Sequence, residues 1–273
     1  MSKQISDYLV VSDMDGTLLR AGIGLPQQNV DAVRAFSEAG GHFTVATGRH
    51  KDSARRYLDR VQLSAPAILC NGALIYDYQS GRAIRERCLP HALGVELVRA
   101  ACAAFPDLGA EIMCPDTIYV AKNNHFAHRH TSTDRLEYIV TDVDSVPQEW
   151  YKVLFCIDPE EMARLEAFLQ SQYHLGVYFV KTAPQFLEVM ADGVNKGEAL
   201  HFLADYLGLP QDATAAIGDY YNDLELLRAA HFSATLADAP QDIKVHADMV
   251  CASCLEGGVA EFLGYLRQNC GRL

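Results

Sequence analysis

Apolar residues along this chain follow two rhythms: short unbroken β-rich runs, and longer stretches with apolar positions three or four apart. Asp7-Tyr8-Leu9-Val10-Val11-Ser12 is the first short run and ends at Asp13. Its continuous apolar character predicts a strand covered on both faces by helices. Residues 29–39 follow, with Val30, Val33, Ala35 and Phe36 at helical spacing and Gly40-Gly41 as a stop. The pattern then predicts a strand over 42–46, a helix over 51–60 and a strand over 67–70. Strand alternating with helix is the rhythm of a parallel, doubly wound sheet.

After Tyr78-Gln79-Ser80-Gly81 the rhythm changes. Segments 117–121, 150–155 and 177–180 are strand-like. Segments 93–105 and 159–173 are helical, the second with Met162, Leu165 and Leu169 on one stripe. This mixture without strict alternation predicts an inserted α+β domain. The alternation resumes at Lys196, with a helix over 197–207 stopped by Gly208, a strand over 213–217 and a helix over 224–230. The expected fold class is therefore α/β, a doubly wound parallel-sheet core of residues 1–83 and 191–273 interrupted by an α+β domain of residues 84–190.

Composition narrows the function. At 273 residues the chain is long enough for one large domain and a smaller one. With 49% apolar residues and 21% charged residues it reads as an ordinary globular protein. The formal net charge of -12 argues against a nucleic-acid-binding surface and against attraction to anionic membranes. An anionic ligand would have to be held by a few placed cations and a metal. No apolar run approaches the roughly 18 residues that span a bilayer. The segment Met1-Ser2-Lys3-Gln4-Ile5-Ser6-Asp7 lacks the basic-then-apolar order of a signal peptide, so a cytoplasmic location is expected. Of the 8 cysteines only Cys251 and Cys254 form a Cys-x-x-Cys pair, and no second pair completes a zinc site. Reduced, mostly buried thiols are the reading.

Four polar clusters fall where predicted strands end, which is where ligands bind in open parallel sheets. Asp13-Met14-Asp15-Gly16-Thr17-Leu18 places two carboxylates at i and i+2 before a glycine turn. One can attack phosphorus while the other moves protons, although an Asp-x-Asp-Gly turn is also an ordinary structural element. Ala46-Thr47-Gly48-Arg49 offers a hydroxyl and backbone N–H groups at the start of a helix, an anion site or a plain N-cap. Lys196 opens another helix, where a lone lysine is commonly solvated. Gly218-Asp219-Tyr220-Tyr221-Asn222-Asp223 places acidic groups at a strand end, a hard-oxygen set suited to Mg²⁺ or an acidic helix start.

The order and spacing of these clusters resemble the haloacid dehalogenase (HAD) superfamily, in its Cof-type (subfamily IIB) branch. The matching pieces are Asp13 to Leu19, Ala46 to Arg49, Asn71 to Ala73, Asn195 to Leu200 and Gly218 to Asp223. A tail over 244–250 with Glu256-Gly257-Gly258-Val259 matches as well. About thirty residues separate Asp13 from Thr47, room for one helix and one strand only, whereas more than a hundred separate Gly72 from Lys196. The resemblance therefore implies a HAD-like Rossmannoid core with a C2-type cap.

It also implies a phosphatase in which Asp13 is the nucleophile and Asp15 the acid–base. Mg²⁺ would be held by an Asp13 carboxylate oxygen, the Asp15 backbone carbonyl and the Asp219 carboxylate. Thr47 with Gly48, and Lys196, would bind the phosphoryl oxygens. Asn222 would touch phosphate, Asn71 and Gly72 would line the pocket, and Asp223 and Arg49 would support the site. The implied substrate is a small phosphorylated metabolite, sugar phosphates first, with nucleotide or vitamin-like phosphates behind them, and the protein a monomer or homodimer. A phosphomannomutase-like phosphoryl transfer and a catalytically silent binding protein are the alternatives.

Some features depart from the resemblance or stand outside it. Asp238 stands where relatives often have Gly-Asn-Ala. Tyr220 and Tyr221 put two rings between Asp219 and Asn222. His125, His128 and His130 invite a metal reading, but their spacing favours a polar loop or substrate contacts.

Overall fold

The first short apolar run does form a strand, and all five residues of Leu9–Asp13 are buried, as a strand flanked by helices requires. The computed structural model describes residues 3–20, 22–133, 136–173 and 175–272. Residues 1–2, 21, 134–135, 174 and 273, which the expected domain spans include, lie outside the described residues. The chain opens with β1 (Leu9–Asp13), α1 (Gln27–Glu38), β2 (His42–Ala46), α2 (Lys51–Leu58), β3 (Ala67–Leu69), β4 (Leu74–Asp77) and β5 (Arg82–Glu86). Next come α3 (His91–Ala104), β6 (Gly109–Met113), β7 (Ile118–Lys122), α4 (His125–Thr133), β8 (Tyr138–Val140), β9 (Lys152–Cys156), α5 (Met162–Gln172), β10 (Val177–Ala183) and β11 (Phe186–Ala191). The last stretch holds α6 (Lys196–Leu207), β12 (Thr214–Gly218), α7 (Leu224–Ala229), β13 (Phe232–Leu236), α8 (Gln241–Lys244), β14 (Met249–Cys251) and α9 (Gly258–Asn269). The chain divides into two compact units, Met1–Arg85 with Asn195–Leu273, and Glu86–Val194.

The larger unit carries an eight-stranded sheet in the order β14-β13-β12-β1-β2-β3-β4-β5. Neighbours from β14 through β3 pair in parallel. The chain winds from β1 toward β2 and β3 on one side, and β12, β13 and β14 lie on the other. The order reverses between β1 and β12, the point where open sheets leave a crevice beyond their carboxyl ends. On one face Leu9, Val11, Ala46, Ile68 and Ala216 pack with Leu200, Leu203 and Leu226 of α6 and α7. On the other, α1 lies against α9. Buried Asn29 of α1 donates to the Leu18 carbonyl (3.2 Å) and accepts from the Ala260 N–H (3.1 Å), so the turn after β1 is tied to both helices.

The sheet is not wholly parallel, as the strand–helix rhythm suggests it would be, because β4 runs antiparallel to β3. The chain reverses through Cys70 (φ 49°), Asn71 (φ 55°) and Gly72 (φ 102°), a left-handed turn with no room for a crossover helix.

The inserted unit is α+β. Its sheet runs β10-β11-β9-β6-β7-β8, with α3 and α5 packed on it through Leu97, Val98, Leu165 and Leu169. The chain's one tryptophan, Trp150, is buried there. Helix α3 reaches it because Gly94 has no side chain: a Cβ would lie 2.7 Å from the indole ring. The histidine segment is not a loop, since His125 and His128 sit on α4. His130 bonds the fully buried Glu111 at 2.9 Å and meets the Phe186 ring at 5.2 Å, whereas His125 and His128 stand exposed on the helix.

Close packing of α6 on α7 can be tested at Gly197, where a Cβ would come within 2.2 Å of the Glu225 carbonyl oxygen. Helix propensity favours alanine over glycine by ~1 kcal/mol. The backbone clash outweighs it, and Gly197→Ala should lose about 1–3 kcal/mol of stability, read as a lower urea midpoint.

Candidate active site

Strand geometry delivers the Asp13, Thr47 and Asn71 segments to one end of the sheet. Asp13 is the last residue of β1 and pairs with Ala46 at the end of β2, and Ala46 in turn pairs with Ile68 of β3. Thr47 and Asn71 therefore follow directly beyond the same sheet end. Thr47 is buried; its N–H donates to the Ile68 carbonyl (2.9 Å) and its own carbonyl accepts from the Asn71 N–H (2.9 Å). Its hydroxyl oxygen accepts from the Arg49 N–H at 3.2 Å, the local turn that also positions Gly48. The fourth strand of the site, β12, ends at Gly218, whose carbonyl is held by the Thr235 hydroxyl at 2.8 Å.

Lys196 is fully buried, against the solvated lysine that its position alone suggests. Its Nζ donates to Asp13 Oδ1 and to Asp223 Oδ1, both at 2.6 Å. Asp223 is fixed on its other oxygen, which accepts the N–H groups of Asp219 (2.9 Å) and Tyr220 (3.0 Å). It thus orients Lys196 and the acidic loop together. Asn222 Nδ2 donates to Asn71 Oδ1 at 3.2 Å, joining the loops after β12 and β3. Gly72 has a packing reason: a Cβ would lie 2.4 Å from the Asn195 carbonyl oxygen, so only glycine lets the start of α6 approach.

Asp219 is held from the opposite side. The Thr17 hydroxyl donates to Asp219 Oδ1 at 2.5 Å. Gly16 (φ 97°) presses so close that a Cβ would sit 2.5 Å from Asp219 Oδ2. Thr17 stands inside the Asp13 cluster, but a hydroxyl in a glycine turn gives no cue to its partner 202 residues away. Asp15 is placed differently from the other carboxylates. Both of its oxygens face Arg49, with Nε–Oδ2 at 2.7 Å and Nη2–Oδ1 at 2.8 Å.

Carboxylate oxygens of Asp13, Asp219 and Asp223 lie within 4.8 Å of one another, the one such group of metal-binding side chains among the described residues. Three hard oxygen donors facing one ammonium are a donor set that could hold a divalent cation such as Mg²⁺. The electrostatics agree. Burial, then the nearby Asp223 charge, pushes the Asp13 carboxyl well above its ordinary value, although Lys196 opposes this. Burial and Asp223 raise Asp219 to about 7. For Lys196 burial works toward neutrality, but the Asp13 and Asp223 carboxylates outweigh it and raise its pKa.

The remaining sequence features find plainer uses. Asp238 pairs with Arg20 at 2.9 Å across half-exposed surface, tying the loop after β13 to the turn after Asp15. The Tyr220 and Tyr221 rings meet edge to face at 4.8 Å, and the Tyr221 hydroxyl bonds Asp242 at 3.1 Å. Cys251 and Cys254 are free buried thiols, each pushed up to about 12, chiefly by burial. Among the described residues no helix is long and apolar enough to cross a membrane.

The carboxylate cluster lies beyond the strand ends, at the switch point of a doubly wound sheet, where folds of this kind bind ligands. The profile of the haloacid dehalogenase-like hydrolases matches residues 10–263. The chain is 29% identical over 265 residues to the putative phosphatase YxeH of Bacillus subtilis, covering 92% of this chain and 95% of that one. It is 26% identical over 268 residues to the B. subtilis 5-amino-6-(5-phospho-D-ribitylamino)uracil phosphatase YitU, covering 94% and 96%. The fold matches that of the subclass IIB sugar phosphatase BT4131 with a TM-score of 0.82 at 20% identity, over 95% of this chain and 98% of that one. The chain belongs to the haloacid dehalogenase-like hydrolase family, in its Cof-type branch, and is an enzyme of the phosphatase type.

The raised Asp219 pKa has a consequence for stability. Asp219 holds its proton more tightly folded, at about 7, than at its ordinary 3.8. Its contribution to stability is therefore greatest below about pH 4 and declines as pH rises to about 7. In the metal-free protein at pH 8, Asp219→Asn should raise the melting temperature, and the gain should vanish at pH 4. Calorimetric melts at the two pH values measure it.

Proposed function

We propose that this enzyme hydrolyses small phosphorylated metabolites, phosphorylated sugars first among them, in a magnesium-dependent reaction through an aspartyl-phosphate on Asp13. One observation carries the reading: the Asp13 carboxylate is buried at the end of β1, bonded by Lys196 and beside Asp219. A buried carboxylate held in one direction is a positioned nucleophile, and the adjoining ammonium offers a counter-charge to a phosphoryl group.

In this reading an Asp13 oxygen attacks phosphorus while Asp15 gives a proton to the departing oxygen. Water then attacks the phosphoenzyme, its proton passes to Asp15, and the bond from Asp13 to phosphorus breaks. Lys196 and Thr47, with the Gly48 backbone, bind phosphoryl oxygens, where positioning and charge stabilisation carry most of the catalysis. Asn71 and Asn222, bonded to each other, border that position. The Asp13 and Asp219 carboxylates and the Asp15 backbone carbonyl would hold Mg²⁺, with Asp223 keeping Asp219 and Lys196 in place. When bound, the ion offsets the repulsion between an anionic nucleophile and an anionic phosphate. The inserted α+β unit takes the part of the cap that selects the substrate. Support for a phosphorylated polyol comes from the relative YitU, whose name gives a phosphoribityl substrate.

The protein should hydrolyse p-nitrophenyl phosphate with Mg²⁺. Asp13→Asn and chelation should each lower turnover by about a thousandfold or more. Turnover undiminished in Asp13→Asn would refute the covalent route. A panel of phosphorylated sugars and cofactor precursors, ranked by kcat/KM, tests the substrate class.

A further inference from the structure

Asp15 sits on a turn, and its side chain is 39% exposed, so the core does not hold it in one direction. Among the described residues, Arg49 does. Arg49 is only 9% exposed and meets both Asp15 oxygens with two parallel N–H donors, at 2.7 and 2.8 Å. This bidentate geometry fixes the plane of the carboxylate as well as its distance. The guanidinium is itself held. Its Nη1 donates to the Ser53 hydroxyl at 2.8 Å, and its face lies 4.7 Å from the centre of the Tyr57 ring. Arg49 lies two residues before α2, and Ser53 and Tyr57, four apart within that helix, share the face that backs the fork.

We propose that Arg49, braced by Ser53 and Tyr57, is a positioning residue for Asp15 in the second half of the reaction, the hydrolysis of the phosphoenzyme. The inference rests on the covalent route proposed above. After Asp15 has given up its proton to the leaving group, it is the carboxylate that a planar guanidinium fork grips best. In that step the water oxygen bonds to phosphorus, the bond from phosphorus to Asp13 breaks, and the water proton moves to Asp15. A carboxylate aimed by Arg49 takes that proton in a fixed direction. With p-nitrophenyl phosphate the leaving group departs without a proton, so the first half does not depend on where Asp15 points. The two halves are therefore separable in one assay.

Arg49→Met is the test, read by rapid-quench release of p-nitrophenol and by intact mass of the enzyme during turnover. Steady-state turnover should fall about 100-fold. The first turnover should stay within about threefold of the unsubstituted protein, and the phosphorylated form should become the main species in the mass spectrum. Arg49→Lys, with charge but no fork, should lie between. Ser53→Ala and Tyr57→Leu, which leave the fork in place, should each slow the steady state by about two- to fivefold. Equal loss of first-turnover and steady-state rates, with no gain in phosphoenzyme, would overturn the proposal. If Arg49→Met does not fold, the Ser53→Ala/Tyr57→Leu double variant decides on the same two readouts. If the unsubstituted protein turns over nothing, or Asp13→Asn turns over normally, it is the covalent reading that fails, a result distinct from any change confined to Arg49 variants.

Discussion

The ammonium of Lys196, buried between Asp13 and Asp223, is the interaction on which the rest of the site depends. It links a strand end to residues 183 positions later and, through Asp223, 27 positions beyond that. Burying one charge without a partner would cost several kcal/mol, and removing a partner from such a group is strongly destabilising. The network closes because Asp223 spends its second oxygen on two backbone N–H groups. Burial first, and then the Asp223 charge, leave Asp219 with a pKa of about 7. The fold tolerates that strain at a cluster of three carboxylates whose oxygens could hold a divalent cation.

Close backbone approaches bring these groups together. Gly16 lets the turn after β1 touch Asp219, and Gly72 lets the turn after β3 touch the start of α6. Asn29 ties the first of these turns to α1 and α9 from behind. The turns that carry the carboxylates are therefore fixed by close backbone approaches and by one buried amide. Asp15 and Arg49 lie apart from that core. Asp15 is held by a side-chain fork, whereas Asp13 is set by the end of a strand.

Much of the larger unit was legible in the order of residues. The buried run before Asp13, the alternation through 70 and the resumption at Lys196 predict β1, β2, β3, α1, α2, α6, β12 and α7 within a few residues, because a strand covered on both faces must be apolar throughout. The reversal into β4 had its cue in Asn71-Gly72 between two apolar runs, a pair suited to positive φ. The positive φ at Cys70 had none in its residue type. The strands β6 and β11 carry Glu111 and Glu188 in their interiors, and buried acids break the apolar pattern that would reveal a strand. Helix α4 was hidden by its polar make-up, and of its histidines His130 answers to Glu111 and Phe186.

By itself the amino-acid sequence determined the α/β class, the place of the insertion and the identity of the chemical groups. Each of these follows from local periodicity or from short motifs at strand ends. Tertiary structure alone decided that Lys196 is buried and bridges two carboxylates, that Thr17 serves Asp219, and that Arg49 faces Asp15. Such contacts join segments tens to hundreds of residues apart, and which atoms meet there depends on strand order and on glycine close approaches that no local pattern encodes.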